Sequence, residues 1–308
     1  RSLELYQKAL DIRLEHSGED PITGLEEYRY SLDWSLMLKG GVSLADIYND
    51  MGLLLFEQQA DLRESMLHFQ RSLKIKRVHY KSSNHPSRTK TYANLAMLLR
   101  FNNHLDRALE LCEIVLDNYK TSYGEDHRTV AETYRNMALV YHDQRRFPEA
   151  MAMNKQALEL IKKQLGEEHI QVAEIYHDMG NILRSIKFEE SMEMFEKALQ
   201  LKSKILPPAH PSIGDTHCRM GDAFLANDGG GGGHLLLDKA MESYQNALEV
   251  YIKVYGDNCC HSDIADAYKG MSLVLKGKGD LERSKEYEAK SLEIIKTVFR
   301  DSMHAVPF

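Results

Sequence analysis

The sequence predicts an all-α chain of tandem helix hairpins, and three observations carry that prediction. Histidines stand at 85, 127, 169, 210 and 261, at intervals of 42, 42, 41 and 51, and the residues around them recur. Tyr92, Tyr134 and Tyr176 then fall into register, followed by the small residues Ala96, Ala138 and Gly180 and by a second small set, Ala108, Ala150 and Ser191. Finally, each copy splits into two stretches with apolar residues at i, i+3, i+4 and i+7, joined by a short polar turn. That is the pattern of a helix A, a turn and a helix B. The small columns belong where the two helices cross, because axes about 8 to 10 Å apart leave no room for a large side chain. The tyrosines, one helical turn earlier, are expected to supply core area.

The elements follow in order. Residues 1–20, with "RSLELYQKALDIR", read as a lone helix B whose Ser2 and Ala9 match Ser65 and Ser72. Residues 21–44 form an insert with an extra helix: Thr23 and Glu26 make a capping-box pattern, Leu25, Tyr28, Leu32 and Leu36 an apolar stripe, and Gly40 a stop. Trp34 lies to one side of the stripe, where it either fills a gap or lies against a groove. Residues 45–297 hold six copies, because the columns extend to Tyr48, Gly52 and Ser65, to Gly221 and Ala240, and to Tyr268, Ser272 and Ser284. Residues 298–308 are a tail.

The glycine-rich stretch 227–234 falls in the fifth copy, where Gly221 and Ala240 are 19 residues apart against 12 between Ala138 and Ala150. A phosphate-cradling loop follows a strand and places Lys-Ser/Thr after its last glycine. Here a helix precedes the run and Gly233 is followed by His234. The run reads as a surface loop lengthening an A-to-B turn, at a closure cost of only about 0.6 kcal/mol.

This pattern resembles the tetratricopeptide repeat, and the 42-residue form with "GEDH" and "GEEH" joints resembles the kinesin light chain subfamily. The resemblance implies a right-handed α-α superhelix whose A helices line a concave groove. It also implies that the Asn of the "N-L-A" motif contacts cargo peptides. Asn94 and Asn136 keep that residue, and Asp50, Asp178, Arg219 and Gly270 replace it in other copies.

Lys plus Arg total 39 against 46 for Asp plus Glu, a net charge of -7, which argues against a broad electrostatic grip on nucleic acid or anionic lipid. No membrane-inserting stretch is evident, and four cysteines form no disulfide framework, so the expected compartment is the cytoplasm. The chain opens on Arg in mid-pattern and reads as a piece of something longer. Cys259, Cys260 and His261, with His217 and Cys218 one copy earlier, lack the spaced pairs of a zinc site. His142 with Asp143, and His177 with Glu174 and Asp178, lack a nucleophile and an oxyanion arrangement. Neither enzyme activity nor a metal or cofactor is therefore expected.

The expected site is the inward surface of the A helices: Lys90, Asn94, Arg100, Arg135, Asn136, His142, His177, Asn181, Arg184 and Arg219. Asparagine can bond both polar groups of an extended backbone, and arginine can fork onto a carboxylate. The expected partner is a protein or peptide segment carrying acidic residues. The alternative is the regulatory arm of a larger enzyme, such as an ADP-ribosyltransferase, protease or NTPase, with its catalytic domain elsewhere. Oligomeric state is left open by the sequence.

Overall fold

The computed structural model describes residues 34–57, 62–184, 186–228, 234–256 and 261–304. The lone helix B of 1–20, the insert as far as residue 33, the glycines 229–233, Cys259 and Cys260, and the last four residues of the tail lie outside them. Among the described residues there are twelve helices and no strand. They are α1 (Trp34–Glu57), α2 (Leu62–His79), α3 (Pro86–Phe101), α4 (Leu105–Tyr123), α5 (Arg128–Asp143), α6 (Phe147–Leu165), α7 (Ile170–Leu183), α8 (Phe188–Ile205), α9 (Pro211–Asp228), α10 (His234–Tyr255), α11 (Ser262–Gly277) and α12 (Leu281–His304). Among the described residues no helix is long and apolar enough to cross a membrane.

The helices fall into two compact units divided between Gln144 and Arg145. In the first, α1 packs on α2 and α3 on α4, and the A helices α1, α3 and α5 touch in sequence. In the second, α7 packs on α8, α9 on α10 and α11 on α12, with α9 also touching α11. Consecutive helix pairs are thus the building block, as the small-residue columns require. The backbone of α1 breaks at Gly41 (φ 61, ψ -157), one residue past the predicted stop, so the first A helix begins after it. The fifth hairpin is joined through the glycine run, since α9 ends at Asp228 and α10 starts at His234.

The repeated histidine starts each A helix from the second copy on. The Nδ1 atoms of His85, His127, His169, His210 and His261 accept from the backbone N–H two residues ahead, at 3.3, 3.3, 3.2, 3.2 and 3.4 Å. That satisfies one of the donors a helix N-terminus otherwise leaves open. Three of the rings also stack on the tyrosine closing the preceding B helix: Tyr80 on His85, Tyr123 on His127 and Tyr255 on His261. The glycines of the joints, Gly124 (φ 88) and Gly166 (φ 84), adopt a conformation that L side chains resist.

Where the A-helix crossing residue is glycine, the B helix answers with an aromatic ring four residues after its own small residue. A Cβ on Gly52 would meet Phe69 at 2.9 Å, one on Gly180 would meet Phe195 at 2.7 Å, and one on Gly221 would meet Tyr244 at 2.8 Å. In the second copy, where the crossing residue is Ala96, Cys112 takes that position. Ring volume is therefore exchanged against Cβ volume copy by copy, as close packing demands.

Two fully buried lysines occupy one repeat position. Lys76 donates to the Ser87 carbonyl (3.2 Å) and Thr91 Oγ1 (3.1 Å), and Lys202 to the Ser212 carbonyl (3.0 Å) and Thr216 Oγ1 (2.8 Å). Each ties a B helix to the A helix that follows. The tyrosine column departs from the core expectation: Tyr48 is 3% exposed, but Tyr92, Tyr134, Tyr176 and Tyr268 are half-buried. Their rings pack while the phenol tips stay polar, with the Lys120 and Lys162 ammonium groups 5.5 Å from the Tyr134 and Tyr176 centroids.

Candidate functional site

In the first unit the three A helices present one surface, cross-linked by side chains the sequence had assigned to ligand. Asn94 Nδ2 donates to Asn49 Oδ1 (3.1 Å), joining α3 to α1, and Arg100 Nε donates to Asp143 Oδ2 (2.6 Å), joining α3 to α5. His142 Nδ1 meets the other Asp143 oxygen at 3.2 Å. Burial acts to raise the Asp143 carboxyl, but His142 and Arg100 outweigh it and hold it below the usual aspartate range. Lys90 is exposed, and Arg135 and Asn136 are half-buried on α5. The residue directly after each crossing position, Leu53, Met97 and Leu139, adds a half-buried apolar row to this surface. Sequence reasoning missed that row, although its offset from Gly52, Ala96 and Ala138 is constant.

In the second unit Arg184, which caps the end of α7, and Arg219 on α9 converge on one oxygen of Asp222, at 2.8 and 2.7 Å. The Tyr244 hydroxyl donates to the other at 2.7 Å. Burial acts to lower the Arg219 pKa, and the Asp222 carboxylate more than reverses it. His177 Nδ1 lies 3.2 Å from Thr216 Oγ1, the hydroxyl that also receives Lys202. Asn181 is half-buried on α7 and Asp178 is buried. Further along, burial raises the Asp215 carboxyl, offset in part by a 2.7 Å bond from the Tyr251 hydroxyl. Burial raises Asp266 as well.

The predicted residues thus gather along the A helices of each unit, and Arg100, Arg184 and Arg219 are bonded to aspartates of neighbouring turns or helices. No group of three or more His, Cys, Asp or Glu able to hold a metal ion occurs among the described residues. Burial pushes the thiols of Cys112 and Cys218 up to about 12, far from thiolate chemistry.

The model of the tetratricopeptide repeat family matches residues 87–163 and 129–204, the stretch that contains α3 to α8. Residues 87–204 carry tetratricopeptide repeats. BtubC (BKLC) from P. vanneervenii shares 19% identity with the chain at a TM-score of 0.59, covering 83% of this chain and 92% of that one. Nearly identical TPR-like repeats from a Podosopora anserina protein described as a kinesin light chain share 19% at 0.53, covering 71% and 98%. The Rap conjugation gene regulator of plasmid pLS20, solved in complex with the Phr* peptide, shares 15% at 0.61, covering 97% and 70%. At these identities the likeness is one of fold. No curated protein sequence matches the chain.

Proposed function

We propose that this tetratricopeptide-repeat chain is a non-enzymatic interaction scaffold that binds a peptide or helical segment of another protein along its A helices. The observation that carries the reading is the state of two amides. Asn136 and Asn181 sit half-buried on A helices, and neither side chain has a hydrogen-bond partner among the described residues. A half-buried amide without a protein partner is suited to an extended backbone, to which it can offer both donor and acceptor. Leu53, Met97 and Leu139 would take apolar side chains beside it in the first unit. The Rap regulator of similar fold, which was solved with a peptide, supports the same reading.

Acidic groups of the ligand would approach Arg135 and Lys90 in the first unit and Arg184 and Arg219 in the second. Because Asp222 already holds the last two, an incoming carboxylate shares them rather than meeting bare charge. The ligand's apolar and backbone groups therefore contribute more of the affinity than its charges. Asn136→Ala and Asn181→Ala are each expected to weaken a partner captured by the wild-type chain by about two- to tenfold, at roughly 0.5 to 1.5 kcal/mol per lost bond. Unchanged affinity with intact helicity would remove the A-helix assignment. In the alternative reading the array is the regulatory arm of an enzyme, and the same surface would hold a segment of that enzyme.

A further inference from the structure

Residues 65–105 carry eight lysines and arginines and no aspartate or glutamate, in a chain whose net charge is -7. One of those arginines breaks a repeat column. Three residues after the capping histidine the later A helices bury an aliphatic side chain, with Val130, Val172, Ile213 and Ile264 at 0, 0, 5 and 3% exposure. On α3 the position belongs to Arg88, which is 8% exposed.

The Arg88 guanidinium has only neutral partners. Its Nη1 donates to the carbonyls of Ser82 (2.9 Å) and Tyr80 (3.4 Å), its Nη2 donates to the Tyr92 hydroxyl oxygen (3.3 Å), and its Nε is buried without a hydrogen-bond partner. Arg77, exposed on α2, acts on the same phenol. Burial works to raise the Tyr92 hydroxyl, but Arg88 and Arg77 outweigh it and hold it below the usual tyrosine range. Among the described residues neither arginine has an ion pair with a carboxylate, whereas Lys76 beside Arg77 takes Asp46 at 2.9 Å. Because the Tyr92 oxygen accepts from guanidinium, its own proton is left to donate. Two cations and a hydroxyl proton therefore meet with donors on every side, and a buried guanidinium without an anion is costly.

We propose that Arg77, Arg88 and Tyr92 form a binding site for a phosphoryl dianion, as free phosphate or as a phosphate monoester. Near neutral pH a phosphoryl group brings close to two negative charges and three acceptor oxygens, which match two guanidinium groups and one hydroxyl. A carboxylate brings one charge and would leave one arginine unbalanced. Exposed Arg77 and half-buried Tyr92 are the groups reached from solvent, while Arg88 supplies charge and holds the phenol in place. The site uses neither Asn136 nor Asn181, so it stands or falls separately from peptide binding along the A helices.

The full chain would be titrated by calorimetry at about pH 7.5 with inorganic phosphate, with phenyl phosphate and, as the carboxylate comparison, with acetate. Saturable binding of at least one of the two phosphates is expected, and the tighter one tells whether free ion or ester is the ligand. Three substitutions should each weaken it by at least about tenfold: Arg77→Gln at an exposed position, Tyr92→Phe, which keeps the ring, and Arg88→Val, which restores the aliphatic residue of the later copies. Lys155→Gln, at an exposed lysine elsewhere, should bind as wild type, and circular dichroism should match for all chains. Should Arg88→Val fail to fold, Arg77→Gln and Tyr92→Phe decide. Absence of saturable binding by both phosphates, equal affinity for acetate, or undiminished affinity in Arg77→Gln would overturn the proposal.

Discussion

The Ser191 hydroxyl on α8 donates a 2.8 Å hydrogen bond to the carbonyl of Gly180 on α7, while the Phe195 ring fills the space where a Gly180 Cβ would stand. The same hydroxyl-to-carbonyl bond recurs from Ser65 to Gly52 at 2.7 Å. Glycine, serine and phenylalanine act together in these two copies: the missing Cβ lets the helices approach, the approach brings the hydroxyl within range, and the ring seals the crossing.

Gly180→Val should therefore destabilise the chain. Overpacking costs about 1 to 3 kcal/mol, more than the roughly 0.5 kcal/mol that valine gains over glycine in helix propensity. A lower urea midpoint is expected, and Phe195→Leu in the same chain should recover part of it. Equal stability of Gly180→Val and wild type would mean the crossing is looser than described.

His169→Ala removes a cap acceptor and is expected to cost about 0.5 to 2 kcal/mol, whereas His169→Asn, which can cap through its side-chain oxygen, should cost little. Amide exchange at Gln171, whose N–H the histidine holds, should quicken in the alanine variant alone.

Acid should weaken the first unit through His68. Buried beside Arg71 and stacked on Tyr48, its imidazole is lowered to about 4, by burial first and then by the Arg71 charge. The unfolded chain takes up that proton near the ordinary value of about 6.5, so the stabilising contribution is complete above 6.5 and is lost as pH falls toward 4. The difference corresponds to about 3 kcal/mol as an order of magnitude. Urea midpoints between pH 7 and pH 4.5 should fall less steeply for His68→Phe than for wild type.

Arg145 adopts φ 59 seven residues after its crossing residue, where Asn103 (φ 60) and Gly279 (φ 83) stand in other copies. Arg145→Gly relieves a left-handed conformation that costs an ordinary side chain about 1 kcal/mol, so a small rise in melting temperature is expected. A fall would show that the arginine side chain makes a contact worth more than the strain.

Much of this fold was legible because a repeat shows each packing rule several times. The small columns identified the crossings, and the histidine column marked the helix starts, because those constraints act on single positions. The tyrosines were less legible: their spacing gives the packed ring but not the lysine 14 residues earlier, Lys120 for Tyr134 and Lys162 for Tyr176, that lies over it. The site was legible only in outline. Spacing places Arg184, Arg219 and Asp222 on A helices, but which guanidinium reaches which carboxylate depends on rotamers and on the approach of neighbouring helices. The apolar row of Leu53, Met97 and Leu139 was visible at a constant offset, yet half-buried leucines look like core until the neighbouring helices are in place.

The account rests most heavily on ligand binding along the A helices, and site-specific photo-crosslinking tests it most directly. A photoreactive residue would be placed at Asn136, at Asn181 and, on the exposed side of a B helix, at Lys155. Each chain would be irradiated with its cellular partners present, and the crosslinked segments identified by mass spectrometry. Capture of a partner segment from Asn136 or from Asn181, with none from Lys155, is the predicted result. Capture from Lys155 alone would contradict it and place the binding surface on the B helices.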